Sequence, residues 1–378
     1  MRKTLTALLA APALLTTPAH ADPAPKATFE LPAPTGPHSL GMREAHLVDE
    51  ERGRELMISV WYPAQPGGGP VAPYMTPKAA AYFDQGAGAM GLRPGQVDWA
   101  AVGTHARTDA RPKGRWPVVL YSPGWGSLRT LGTSTVEDLA SKGYVVVTID
   151  HTHEAPFVEF PGGRLEVARP GTDLRSGMET RRQDVLFVLD RLSSLNGLGH
   201  AMDLSRVGMF GHSFGGDTAA EVMTTDRRVD AGADLDGWLA YDVDGAQPTR
   251  AAAEGVTRPF LLMGSPGSTR DGRPRAHLSS PAWKSFWEHS PGFKRDLLMP
   301  EAMHYSFTDV QAFLPQLDER LEVSPEIRTR RIGTVDPVRS VASQRAYLSA
   351  FFDQTLKLRP QRLLRRESAA HPDITFVR

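Results

Sequence analysis

Residues 43–48 and 55–62 alternate apolar and polar positions, with the polar stretch Asp49-Glu50-Glu51-Arg52-Gly53 between them. A period of two predicts a pair of strands with one covered face, joined by a turn. From residue 116 the pattern changes. Apolar blocks at 116–121, 144–149, 206–210, 229–235, 260–263 and 294–299 are separated by helix-compatible stretches at 134–142, 179–195, 217–223 and 282–289, and a long helical stretch follows at 338–358. Unbroken runs such as Val145-Val146-Val147 suit strands buried on both faces. Strand alternating with helix predicts an α/β fold with a mostly parallel central sheet and helices on both faces.

Between the two patterned regions, residues 63–114 are rich in loops, with a short helical candidate at 77–83. They suit either a cover over a site or a surface insertion. At the start of the chain, Arg2 and Lys3 precede an apolar stretch from Leu5 to Leu15, and Ala19-His20-Ala21 follows. That is the layout of a secretory signal peptide over residues 1–21, with cleavage near Ala21. It implies a secreted or periplasmic protein. The Pro- and Ala-rich residues 22–39 read as a flexible N-terminal segment, and residues 40–378 as one catalytic domain.

Composition narrows the partners. The 43 Lys and Arg balance 43 Asp and Glu, so no basic footprint for nucleic acid is expected. The chain has no cysteine, which excludes disulfides, thiol nucleophiles and Cys-based zinc sites. With 35 Gly and 31 Pro, long structured loops are expected rather than a helical bundle.

The strongest chemical signal is Gly211-His212-Ser213-Phe214-Gly215, which follows an apolar strand and precedes a helical stretch. A Gly-x-Ser-x-Gly turn at that junction is the pattern of a nucleophile elbow, with the hydroxyl raised on a tight turn. A serine hydroxyl needs a base, and the base an orienting carboxylate, here in chain order serine, acid, histidine. Of the histidines after the elbow, His304 lies in a loop just past the strand at 294–299. His277 falls in a charged loop, His289 ends a helix, and His371 is the last. Asp236 closes the strand after the elbow helix. Asp234, Asp242, Asp244 and, one strand later, Asp271 are its alternatives. The backbone N–H of Phe214 and that of Trp125, in the loop Ser122-Pro123-Gly124-Trp125-Gly126-Ser127, suit an oxyanion hole.

Other clusters read as structural. His151-Thr152-His153-Glu154 lacks a well-spaced third metal ligand and suits a supporting or pocket-lining role. His212 reads as packing directed away from the catalytic face. Trp283, Phe286 and Trp287 have helical spacing and read as core.

Four separated segments carry a family resemblance. Ser122–Thr130, Gly211–Gly216, Leu235-Asp236-Gly237-Trp238 and His304-Tyr305-Ser306-Phe307-Thr308-Asp309 resemble, in order, segments of the platelet-activating-factor acetylhydrolases of the plasma and intracellular type II kind and their bacterial relatives. Pro123 departs from the family, which often has His before the loop glycine. The resemblance implies an α/β-hydrolase fold and a serine esterase or lipase with Ser213, Asp236 and His304 as triad. Trp125 and Phe214 would be its oxyanion donors. It implies no cofactor or metal, and an ester or lipid substrate with transient contact with lipid aggregates. It leaves oligomeric state open. The same triad would also serve a polyester hydrolase, an amidase or a peptidase, and the fold alone a non-catalytic binding protein.

Overall fold

The computed structural model describes residues 25–266 and 273–378. The expected signal peptide and Asp271 therefore lie outside the described residues. Paired strands β1 (Ser39–Asp49) and β2 (Arg54–Ala64) come first. They run antiparallel around the expected turn, from Ser39 opposite Ala64 to Asp49 opposite Arg54. The insertion that follows gives β3 (Val71–Pro73), helix α1 (Pro77–Gln85) and β4 (Gly103–Thr108). It is not all loop, because β4 joins the main sheet beside β1. The inward positions of β4 are Thr104 and Ala106, too small and polar to mark an apolar period.

The alternating part runs through β5 (Trp116–Ser122), α2 (Thr133–Ser141) and β6 (Val145–Asp150). A small hairpin of β7 (Phe157–Phe160) and β8 (Arg164–Val167), which the hydrophobic pattern did not announce, precedes α3 (Leu174–Arg191). Next come β9 (Met202–His212), α4 (Phe214–Thr225), β10 (Val229–Leu235), α5 (Arg250–Glu254) and β11 (Phe260–Gly264). The chain finishes with α6 (Pro281–His289), β12 (Lys294–Leu298), α7 (Val310–Leu321), α8 (Pro325–Ile332), α9 (Pro337–Thr355) and β13 (Thr375–Phe376).

The main sheet has 11 strands in the order β13-β12-β11-β10-β9-β5-β6-β2-β1-β4-β3. Neighbours from β12 through to β6 are parallel. Their carboxyl ends therefore open on one edge, where open α/β sheets bind ligands. Val185, Val188 and Leu189 of α3 pack with Trp283 and Phe286 of α6 on one face. On the other, Val136 and Leu139 of α2 meet Leu348, Phe351 and Phe352 of α9. Trp283 and Phe286 are core, as their spacing predicts, with Trp287 packed at its margin.

A third apolar cluster ties the insertion to the body: Trp99 and Tyr74 pack with Phe313, Leu314 and Leu317 of α7. Phe29 and Leu31 are buried in it, and Phe29 meets Trp99 edge-on. The part of residues 22–39 that is described thus departs from the expected flexible lead-in. Two large apolar side chains outweigh the proline content there. No helix among the described residues is long and apolar enough to cross a membrane.

Candidate active site

Ser213 stands between β9 and α4 with φ +56° and ψ −132°, a costly conformation for a residue with a side chain. The glycines around it make the turn possible by close approach. A Cβ on Gly211 would lie 2.1 Å from the Gly215 carbonyl carbon, and one on Gly215 would lie 1.9 Å from the Ser122 oxygen. The Ser213 N–H donates to Leu235 O at 2.8 Å, which pins the elbow to the end of β10. The side chain is half-buried, and its hydroxyl makes no hydrogen bond among the described residues.

One strand over, Asp236 follows β10, with φ +61° and its N–H on Met263 O at 2.8 Å. Its Oδ2 lies 2.7 Å from His304 Nδ1, while Oδ1 accepts from Ser265 N–H at 2.8 Å and Ser265 Oγ at 3.0 Å. Arg275 Nε is 3.7 Å from Oδ1. Burial alone would raise the carboxyl. The His304 bond, the charges of His304 and Arg275 and the Ser265 N–H outweigh it, so Asp236 sits below the ordinary aspartate range. A carboxylate fixed at Nδ1 leaves Nε2 of His304 as the nitrogen for a neighbouring hydroxyl. His304 begins a short helical turn after β12 and is partly exposed.

The alternatives have other partners. Asp234 accepts from Gly237 N–H at 2.7 Å, and Asp217 from Leu239 N–H at 2.7 Å. A Cβ on Gly237 would fall within 2.6 Å of both carboxyls. Burial raises both carboxyls, Asp217 to about 7, and the charge of Asp217 raises Asp234 further. Asp242 accepts from the Asp244 and Ala246 N–H groups. His277 bonds Asp296 at 2.7 Å, His289 bonds Ser285 O at 2.8 Å, and His371 bonds Ser343 at 3.1 Å.

The loop after β5 brings Trp125 to the same edge. Its indole meets the Phe214 ring edge-on at 5.3 Å. The N–H groups of Phe214 and Trp125 have no acceptor among the described residues. Phe214 N–H is one of the orphan donors of the α4 N-terminus.

Three further placements were not read from the sequence. His212 does not point away from the site: its ring lies 4.5 Å from the His304 ring, and its Nε2 meets His304 O at 2.8 Å. Burial and the His304 charge hold it neutral, with its pKa down to about 3, so it supports the histidine loop without adding charge. His151, His153 and Glu154 face three different partners: Asp184, Glu166 and Arg181. Arg181 of α3 is buried beneath the Trp125 loop. Its one sequence signal is a charge at the helical spacing of Val185 and Val188.

A cavity of about 170 Å³ adjoins these loops, lined by Phe83 and Met90 of the insertion, Ser127, Leu128, Tyr305 and Arg331 among others. The insertion is therefore a wall of the cavity beside the histidine loop.

A strained serine elbow on a mostly parallel sheet, with an acid and a histidine past later strands, is the α/β-hydrolase fold. The family model for platelet-activating factor acetylhydrolase, isoform II, matches residues 24–160 and 174–265, and the chain belongs to that family. The matched residues include Trp125, Ser213, Phe214 and Asp236, whereas His304 lies beyond them. A probable 1-alkyl-2-acetylglycerophosphocholine esterase of Arthroderma benhamiae is 29% identical over 69% of this chain and 66% of its own length. The platelet-activating factor acetylhydrolase of Gallus gallus is 23% identical over 56% of this chain and 61% of its own. The chain thus spans just under two thirds of these relatives. The structure of a ferulic acid esterase from Streptomyces cinnamoneus superposes with a TM-score of 0.78 at 39% identity, over 93% of this chain and all of that one.

Proposed function

We propose that this protein is a carboxylic ester hydrolase that works through an acyl-enzyme on Ser213. The observation that carries this reading is the 2.7 Å Asp236–His304 bond on the sheet edge that holds the strained Ser213 elbow. Ser213 Oγ attacks the ester carbonyl while His304 Nε2 takes its proton. Asp236 keeps the imidazole in that tautomer and stabilises its cation. The negative oxygen of the tetrahedral intermediate receives the N–H groups of Phe214 and Trp125. His304 then protonates the leaving alkoxide, and water repeats the sequence to free the acid. The Ser213 hydroxyl has no partner among the described residues, and catalytic hydrogen bonds often tighten only with substrate bound.

The cavity beside the site is smaller than the usual few hundred Å³ of small-molecule pockets, which favours compact acyl groups over long chains. The relatives' names agree on ester cleavage and differ in the acyl group. Acetyl esters, short-acyl phospholipids and feruloyl esters are the substrates to compare, with matched amides beside them. The basic start, the apolar stretch and Ala19-His20-Ala21 support export. N-terminal sequencing of protein recovered outside the cell, expected to begin near Asp22, checks it.

The mechanism is tested by treating the protein with a fluorophosphonate and locating the adduct by peptide mass spectrometry. The adduct is expected on Ser213 and is expected to vanish in His304→Ala. Labelling elsewhere, or undiminished labelling in that variant, would falsify the triad.

A further inference from the structure

We propose that Arg181 is a positioning residue for the oxyanion site, acting through the peptide group that joins Gly124 to Trp125. The inference rests on the ester-hydrolase reading and adds to it the device that aims one of the two amides. Arg181 is 1% exposed, yet its guanidinium donates repeatedly to one loop. Nη1 reaches Pro123 O at 2.6 Å and Ser122 Oγ at 3.2 Å, and Nη2 reaches Gly124 O at 2.9 Å.

The last of these bonds carries the argument. A trans peptide is planar, with its C=O and N–H pointing to opposite sides. Turning the Gly124 oxygen toward the buried cation therefore turns the Trp125 N–H away from it. That N–H has no acceptor among the described residues. A charge-assisted bond to the carbonyl also polarises the amide and makes its N–H a better donor.

Glu154 completes the clamp. Its two oxygens take Arg181 Nη2 and Nε at 2.5 Å each, and Oε1 also accepts the Gly126 N–H at 3.1 Å. The peptide groups on both sides of Trp125 are thus tied to a single buried ion pair. The guanidinium lies 5.9 Å from the Trp125 ring and 5.2 Å from the Phe214 ring, beneath the side chains of both donor residues. One turn earlier in α3, a Cβ on Gly177 would lie 2.2 Å from the indole. Only glycine lets Trp125 rest against the helix that carries Arg181. Because Glu154 neutralises the cation at contact distance, Arg181 acts through the geometry of the loop more than as a distant charge.

The test is kinetics of the full chain on a chromogenic acetate, with active sites counted by fluorophosphonate titration and a trifluoromethyl ketone as transition-state analogue. Arg181→Gln is expected to lower kcat per titrated site by about tenfold to a hundredfold, up to the lower end of what losing one oxyanion donor costs, since the amide is misaligned and not removed. KM and the pH midpoint of kcat should stay in place, while the trifluoromethyl ketone weakens by the same factor as kcat. Arg181→Lys keeps the charge and loses the fork. It should fall between parent and Arg181→Gln, and it carries the test if the glutamine variant does not fold. Arg182→Gln, on the exposed side of α3, serves as the unaffected control. Unchanged kcat per titrated site and unchanged ketone affinity in the folded variants overturn the inference and leave the ester-hydrolase reading standing. A parent protein without esterase activity, or activity that survives Ser213→Ala, removes the reading underneath.

Discussion

Ser122, His151 and Asp184 on one side and Ser213, His304 and Asp236 on the other are two sets of the same three residue types, and they are built as opposites. Ser122, His151 and Asp184 form a continuous chain, with Ser122 Oγ 2.9 Å from His151 Nε2 and His151 Nδ1 3.0 Å from Asp184. Ser213, His304 and Asp236 show the corresponding histidine–aspartate bond at 2.7 Å and leave the serine free. The complete chain is the one we propose to be inert. Ser122, His151 and Asp184 are all buried, the Ser122 hydroxyl is engaged by Arg181, and Asp184 is bound by Arg54 and Arg52. Ser213 has a partly open hydroxyl and unpaired amides close by. Hydrogen-bond continuity holds a fold together, whereas nucleophilic catalysis needs an unoccupied hydroxyl, an approach and donors for the oxyanion.

The comparison breaks most sharply at the serines. Ser213→Ala is expected to cost about 10⁴-fold or more in turnover. Ser122→Ala should keep the fluorophosphonate adduct on Ser213 and most of the activity. Adduct mapping on both variants decides it. A label on Ser122 in the parent would make the buried set the reactive one.

The next effect falls on stability. Asp184 anchors Arg52, Arg54 and His151 at once. Asp184→Ala leaves the half-buried Arg54 and the buried His151 without their shared acceptor and should lower unfolding free energy by about 3 kcal/mol in urea titrations, the lower end for a broken buried pair. Burial would raise this carboxyl, but His151 and Arg54 pull it down to about 2. A depressed carboxyl stabilises the fold above its unfolded value of about 4 and loses that contribution as pH falls toward 2. The parent should therefore show an acid slope in this window that the variant lacks. Matching slopes would place the arginines' compensation elsewhere.

The two sets also differed in how readable they were. Ser213 stood out because a strained turn demands glycine on both sides. Asp236 stood out because it follows the last apolar residue of its strand, and His304 because it lies in the loop just past a later one. Ser122 and Asp184 were unreadable as a set, because long-range hydrogen bonds leave no periodic trace in sequence. Arg181 and Glu154 pair across 27 residues, and that pairing exists only once α3 has folded over the loop. The insertion stayed undecided for a different reason. It is held by aromatic contacts such as Trp99 with Phe313, between residues far apart in the chain, so local pattern could not place it.

A smaller effect separates the surroundings of the two aspartates. Asp184 is ringed by arginines, whereas Asp236 stands near the buried carboxyls Asp217 and Asp234. Burial raises both, Asp217 to about 7, and the charge of Asp217 raises Asp234 further. A raised carboxyl contributes stability that is full below its unfolded value of about 4 and is lost as pH rises toward 7. Asp217→Asn removes this titration and supplies an N–H in place of the carboxyl proton. It should flatten this stretch of the stability–pH curve by up to about 1.4 kcal/mol per pH unit. Denaturant midpoints at pH 5 and pH 8 measure it, and an unchanged difference between them would rule out a raised Asp217 carboxyl.

The mildest prediction concerns what lies beside the elbow. The cavity wall there includes Phe83 and Met90, with Tyr305 one residue from His304. Phe83 also packs edge-on to Trp99 at 4.9 Å, so its loss enlarges the cavity while a buried neighbour still supports the insertion. If the acyl group occupies this space, Phe83→Ala should shift kcat/KM toward bulkier acyl esters by about tenfold, the discrimination that a methylene or two earns in an apolar pocket. Turnover of the acetate should change little, since Ser213, His304 and both amides stay in place. Competing acetyl, butyryl and feruloyl esters in one reaction reads the ratio directly. An unmoved ratio would put the acyl group outside this cavity and turn the search to the leaving-group side of the elbow.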